Sequence, residues 1–469
     1  MRTLHITIVW TLAIVASCSR QTDAVVGSST ISKLISGGND LDILFVIDNS
    51  LSTSDKQAQF AANFPRFMQA LDEFPMGRPN LHVGVVNTTV DQGIVGDSFG
   101  PQCPSPDPGD NGLMQKGGES CSAFSIEGSF ISDISDGMGG RTVNYSGQLT
   151  DAFACVAQVG DLGCGFEAPL EAMKRALDGT EPQNAGFLRD DAYLAIVILT
   201  DEDDASIADP SIFTLPEDSV GGLSDFRAQP MFAYTCDRPI TTDVPATYTN
   251  CRVRTGSYLT DPASYPQFLA TIKDPSQTVV AVIAGDPETT IQVGSLMIPG
   301  QPESQSPALM PSCTATINGV PDIARPGIRL DSFRAAYADY GHGVFETVCQ
   351  SDYSDALAQI GNTLFAMMSP CLEGNIDTTD REAENPGLQP DCTVELRVGL
   401  EPNVTSTSLP ACTMIDATTP DPSGPQPCWW VQPAAACMTT TGLELETQGV
   451  PSPLPQGMVI SATCTKAMM

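Results

Sequence analysis

Leu41-Asp42-Ile43-Leu44-Phe45-Val46-Ile47-Asp48-Asn49-Ser50-Leu51-Ser52 is the stretch that decides the fold. Its first seven residues are nearly all apolar and lack the alternation of a strand with one wet face. A short, β-branched run of this kind reads as a strand covered on both faces, as in a parallel sheet between two layers of helices. The same pattern recurs at Tyr193 to Leu199 and at Thr278 to Ala284, with shorter runs at Leu81 to Val86 and Gly343 to Val348.

Helical spacing fills the intervals. Phe60, Phe64, Phe67, Met68 and Leu71 share one face, although Pro65 predicts a kink or an early break. Leu170, Met173 and Leu177 line a helix that Pro169 starts, Phe268, Leu269 and Ile272 mark another, and Leu357, Ile360, Leu364 and Met368 mark the last. Strands alternating with helices predict an α/β fold with a doubly wound, mostly parallel sheet over residues 41–370.

Three stretches break this rhythm, near 91–148, 203–260 and 286–326, and read as long insertions. Two hold a near pair of cysteines, Cys103 with Cys121 and Cys236 with Cys251; Cys155 with Cys164 and Cys313 with Cys349 are the further pairings expected. Disulfides brace loops that lack a core of their own. After Met368 the composition turns acidic and polar, so 371–390 reads as a linker. Residues 391–469 carry Cys392, Cys412, Cys428, Cys437 and Cys464 with short alternating runs, which predicts a small disulfide-rich β domain with Trp429 and Trp430 in its core.

The opening strand ends in Asp48-x-Ser50-x-Ser52, directly before a helix, and the strand from Tyr193 ends in Thr200-Asp201. In an open parallel sheet, ligands sit beyond the carboxyl ends of strands, where strand order reverses. Two hydroxyls and two carboxylates converging there suit Mg²⁺, which takes six oxygens and keeps waters, so an outside ligand has room to enter. The bland alternative is a capped helix and a polar strand end without metal, since Asp48 or Ser50 also makes a good N-cap.

In place and order these motifs resemble the von Willebrand factor type A domain and its metal-ion-dependent adhesion site. The resemblance spans about 41 to 368, less the insertions. It implies a divalent cation on Asp48, Ser50, Ser52 and Asp201, and a protein or extracellular-matrix partner that completes the coordination with a carboxylate. One part departs from the family, because Gly163 to Leu170, where a threonine ligand is expected, contains none. Glu167 either substitutes for it, which favours Ca²⁺ over Mg²⁺, or caps its helix. Glu202, Asp203 and Asp204 extend the acidic loop, either as solvated charges or as further acids behind a cation.

The N-terminus supplies an address. One early charge, an apolar run from Ile6 to Ala16 and a small-residue end predict a signal peptide over 1–17, too short to span a bilayer. Val15-Ala16-Ser17-Cys18 resembles the lipobox of bacterial lipoproteins, which implies acyl chains on Cys18, a polar spacer over 18–40 and an outer-membrane location. Removing Cys18 from the 15 cysteines leaves an even number, suited to pairing in an oxidising compartment.

A formal charge of −34 argues against nucleic acid and against a polybasic contact with anionic lipid, so the lipid anchor is the expected membrane contact. Catalysis has no motif behind it. There is no His-Glu-x-x-His, Gly-x-Ser-x-Gly or Walker loop, and His82 and His342 read as structural. A carboxylate-based hydrolase has no distinguishable acid pair among 56 acidic residues.

Overall fold

A computed structural model describes residues 30–35, 39–74, 77–93, 110–117, 124–214, 231–241, 244–295, 307–317, 319–372, 376–399, 403–437, 441–451, 454–455, 458–465 and 467. The expected signal peptide, Cys18 and the Cys103 with Cys121 pairing lie outside them. In chain order the first elements are β1 (Thr30–Ile35), β2 (Asp40–Ile47), α1 (Ser54–Asp72), β3 (Asn80–Asn87), β4 (Ile131–Ser135), β5 (Arg141–Val143), α2 (Leu149–Val156), α3 (Pro169–Leu177) and β6 (Tyr193–Leu199). Then come β7 (Tyr234–Thr235), β8 (Ala246–Tyr248), β9 (Arg252–Val253), α4 (Ser264–Ile272), β10 (Thr278–Ala284), β11 (Ile291–Ser295), β12 (Pro307–Leu309), β13 (Cys313–Ile317) and β14 (Val320–Ala324). The chain closes with α5 (Ile328–Ala335), β15 (Gly343–Thr347), α6 (Ser354–Met368), β16 (Cys392–Val398), β17 (Thr405–Leu409), β18 (Cys428–Pro433), β19 (Leu443–Gln448) and β20 (Met458–Thr465).

The central sheet has seven strands in the order β15-β10-β6-β2-β3-β4-β5. The first five run parallel, and β4 and β5 add an antiparallel edge. That edge comes from the 91–148 stretch expected as an insertion. β5 is exposed or half-buried at every position, so it lacks the apolar run that marks the inner strands.

Both faces are covered, as the unbroken apolar runs require. Phe45 of β2 points to one face and meets Phe60 and Phe64 of α1 at 5.7 and 6.0 Å and Phe153 of α2 at 4.7 Å. Each such fully buried ring contributes roughly 1.5–3 kcal/mol from its apolar surface. Leu44 and Val46 point to the other face, against Leu170 and Met173 of α3 and Leu330 of α5. Helix α1 runs on through Pro65 without the expected break.

The second and third insertions join each other. β8 of one pairs with β11 of the other, with β12 beyond it, over a separate small core that includes Phe166, Tyr248 and Leu309. Cys236 bonds Cys251, and Cys313 at the start of β13 bonds Cys349 just beyond β15. The pairing of Cys155 with Cys164 is corrected: both are disulfide-bonded, but no bond among the described residues joins the two.

The C-terminal strands form a sheet β1-β20-β16-β17 beside the pair β18-β19, held by Cys371–Cys437, Cys392–Cys464 and Cys412–Cys428. Trp429 is buried in the core of these strands and Trp430 is half-buried. Two stretches read as connectors take part in it. Thr30–Ile35, within the expected spacer, pairs antiparallel with β20, and Leu372, Ile376 and Leu388 of the expected linker pack into the same core. Among the described residues, no helix is long and apolar enough to cross a membrane.

Candidate functional site

Strand order reverses between β2 and β6, and the chain leaves both at the same edge. Asp48 N donates to Leu199 O at 2.9 Å and Thr200 N to Ile283 O at 3.1 Å, so the ladder continues one residue past each strand and fixes both polar ends. Asp48 is fully buried there. Its Oδ1 accepts from Ser50 N at 2.7 Å and its Oδ2 from Thr200 Oγ1 at 2.7 Å.

The turn into α1 is locked from below. Thr53 Oγ1 donates to Asp48 O and Ser50 O at 2.8 and 2.9 Å, and Gln57 Nε2 donates to Asp48 O and Gly160 O, both at 2.7 Å. Gly163 closes on the same turn, donating its N–H to Asn49 O at 2.7 Å; a Cβ there would collide with the Asn49 side chain. The result is a fixed presentation of hydroxyls. Ser50 Oγ and Ser52 Oγ are 3.2 Å apart, and Ser52 Oγ donates to Asp201 Oδ1 at 3.1 Å. Asp48, Ser50, Ser52 and Asp201, drawn from two loops, therefore meet in one connected group.

Two residues that the sequence reading did not single out complete it. Lys56, in the first turn of α1 and 1% exposed, donates to Asp201 Oδ2 at 2.8 Å and to Asp322 Oδ1 at 2.6 Å. Asp322 arrives on β14, and its Oδ2 is buried with no hydrogen-bond partner among the described residues. Two carboxylates thus face one ammonium, with Asp48 as a third acid beside Asp201. Burial and the neighbouring Asp201 raise the Asp48 pKa to about 6, against the hydrogen bonds from Thr200 and Ser50. Burial also works against the Lys56 ammonium, but Asp201 and Asp322 outweigh it and hold its pKa above the ordinary value.

The donor set can be tested against an ion. In octahedral geometry neighbouring oxygens around Mg²⁺ lie about 3.0 Å apart, and around Ca²⁺ about 3.4 Å, from bond lengths of about 2.1 and 2.4 Å. The observed 3.2 and 3.1 Å fall between these values and are also ordinary hydrogen-bond lengths. Among the described residues no group of three or more His, Cys, Asp or Glu is placed to hold a metal, so any ion here would rest on the serine hydroxyls as well as the carboxylates. Asp48 is not the helix cap: α1 starts after Thr53 with no side-chain cap bond.

Glu167 is buried in the loop before α3, and its carbonyl accepts from Ala205 N at 2.7 Å. Among the described residues, no hydrogen bond links its carboxylate to the group of Asp48 and Asp201. It does not cap α3 either, because Asp204 Oδ1 accepts from Leu170 N and Ser206 Oγ from Glu171 N, both at 3.2 Å.

Glu202, Asp203 and Asp204 are buried, which corrects their reading as solvated loop charges. The folded insertions cover them and arginines supply the positive charge. Arg329, itself fully buried, pairs with Asp204 at 2.9 Å, and Arg325 lies 3.5 Å from Glu202. Asp203 accepts from the backbone N–H groups of Arg329 and Leu330 at the start of α5 and from Tyr234 Oη at 2.8 Å. These acids lock α3 and α5 into place behind Asp201. His82 is structural too, its Nδ1 lying 2.8 Å from Phe187 O.

No protein-family model matches the chain, and no curated protein matches it. Among solved structures, the chain is similar to the pilus adhesin SpaC from Lactobacillus rhamnosus GG in its open conformation, at TM-score 0.29 and 12% identity over 93% of this chain and 40% of that one. It is similar to the pilus adhesin RrgA from Streptococcus pneumoniae at TM-score 0.25 and 12% identity, over 93% of this chain and 58% of that one. Similarity to an adhesive tip pilin of Group B Streptococcus agalactiae has TM-score 0.27 and 9% identity, over 93% of this chain and 81% of that one. The chain thus spans about two fifths to three fifths of the length of the first two.

Proposed function

We propose that this protein grips an acidic group on a protein or matrix partner through a divalent cation, Mg²⁺ or Ca²⁺, held by Asp48, Ser50, Ser52 and Asp201. The observation that carries this reading is the convergence of two hydroxyls and two carboxylates at the carboxyl edge of the sheet, in a cluster where Asp48, Asp201 and Asp322 bring three acids and Lys56, held by the last two, brings one ammonium. A dication balances that buried excess, and its open positions take a partner's carboxylate. The strand-end acids at the point of strand reversal agree with a von Willebrand factor type A domain, the family whose motif the sequence resembles.

The rim suits a partner. Leu51, between the two serines, is 77% exposed, and Leu162, beside the Gly163 contact, is 80% exposed. An acidic side chain flanked by apolar groups would meet both features. Glu167 stays outside the ligand set. We place the protein at the cell envelope, tethered through a lipid on Cys18 at the outer membrane, on the sequence resemblance alone.

Lys56 favours one competing reading, in which its ammonium is the site's permanent cation and the fold is a metal-free structural element. Capture from an envelope extract separates the two. Immobilised protein retains its partner in Mg²⁺ or Ca²⁺ and releases it with chelator, and Asp201→Ala retains nothing. Retention indifferent to chelator contradicts the proposal.

A further inference from the structure

Lys56 lies where a cation-binding site gains least from a positive charge. Its ammonium holds Asp201 Oδ2 at 2.8 Å while Asp201 Oδ1 faces Ser52, so the lysine and the proposed ion share one carboxylate. The ammonium does not sit there alone. It also donates to Ser52 O at 3.0 Å and to Asp322 Oδ1 at 2.6 Å, and Asp322 comes from the third insertion, 266 residues along the chain.

We infer that Lys56 sets the affinity of the cation site, an inference that rests on the cation reading above. A fixed positive charge on one oxygen of Asp201 repels an arriving dication and draws off part of the carboxylate's charge. Asp322 acts in the opposite sense: it takes up part of the ammonium's charge and adds a negative charge of its own near the ion. Affinity is therefore a balance between a lysine in the first turn of α1 and an aspartate on an inserted hairpin. The β13 and β14 hairpin, anchored through Cys313–Cys349, carries the aspartate side of that balance.

The two residues give opposite signs, which a purely structural role would not. In calorimetric titrations of the full chain with MgCl₂ and with CaCl₂, Lys56→Met should bind at least about tenfold more tightly than wild type, and Asp322→Asn at least about threefold more weakly. Circular dichroism checks that each variant is folded. Wild-type binding with Lys56→Met equal or weaker overturns the inference and leaves the cation reading intact. Binding by Lys56→Met alone supports it in its strongest form, with the lysine excluding the ion. Binding by neither folded protein overturns both readings. If Lys56→Met does not fold, Asp322→Asn decides: weaker binding supports the inference, and equal or tighter binding overturns it.

Discussion

Asp48→Asn separates a charge held ready for an ion from a charge that stabilises the fold. The substitution keeps the shape and the bond from Ser50 N, removes the charge, and puts an amide N–H where Thr200 Oγ1 now donates, so that the hydroxyl must accept instead. Burial and Asp201 raise the pKa of Asp48 from 3.8 to about 6. At about 1.4 kcal/mol per pH unit, ionising Asp48 in the metal-free fold then costs about 3 kcal/mol more than in the unfolded chain. The sign follows directly. Because the folded value is raised, the penalty is fully present above about pH 6 and absent below the unfolded value of 3.8. In chelator at about pH 7.5, Asp48→Asn should therefore be the more stable protein by up to about 3 kcal/mol, and the difference should vanish near pH 4. Urea unfolding across this range measures it. With Mg²⁺ at 100 times its dissociation constant, the wild type alone regains about 2.7 kcal/mol, which closes the gap. A variant less stable than wild type in chelator, by the same amount at both pH values, would refute the reasoning.

Two further outcomes test the frame around the site. Arg329→Met leaves Asp203 and Asp204 buried without their cation, so it should lower stability by about 3–5 kcal/mol in denaturant unfolding. Replacing Cys313 and Cys349 by serine opens a loop spanning 36 residues; unfolding should show a loss of up to about 4 kcal/mol, and limited proteolysis should cut first in the β13 and β14 hairpin.

The sheet was legible because its inner strands are covered on both faces, and that burial leaves runs such as Leu41 to Ile47 with almost no polar residue. Asp48, Ser50, Ser52 and Asp201 were legible because they follow those runs directly, where a strand end fixes direction. Lys56 was not. Its burial depends on Asp322, on a hairpin far away in sequence, and a lysine on the first turn of a helix otherwise reads as solvated. Asp203 and Asp204 were misread for the same reason, since only the folded insertions bring Arg329 over them. β1 was hidden in a polar stretch because its pairing with β20 is made by backbone groups contributed from the far end of the chain. Pro65 misled in the opposite direction, because the packing of Phe60, Phe64 and Phe67 against Phe45 holds α1 together across it.

The most direct measurement is calorimetric titration of the full chain with Mg²⁺ and with Ca²⁺, for wild type and for Asp48→Ala. Saturable binding of one ion per wild-type chain, absent in a folded Asp48→Ala, is the predicted result. No binding by wild type, or the same binding by both proteins, contradicts the account.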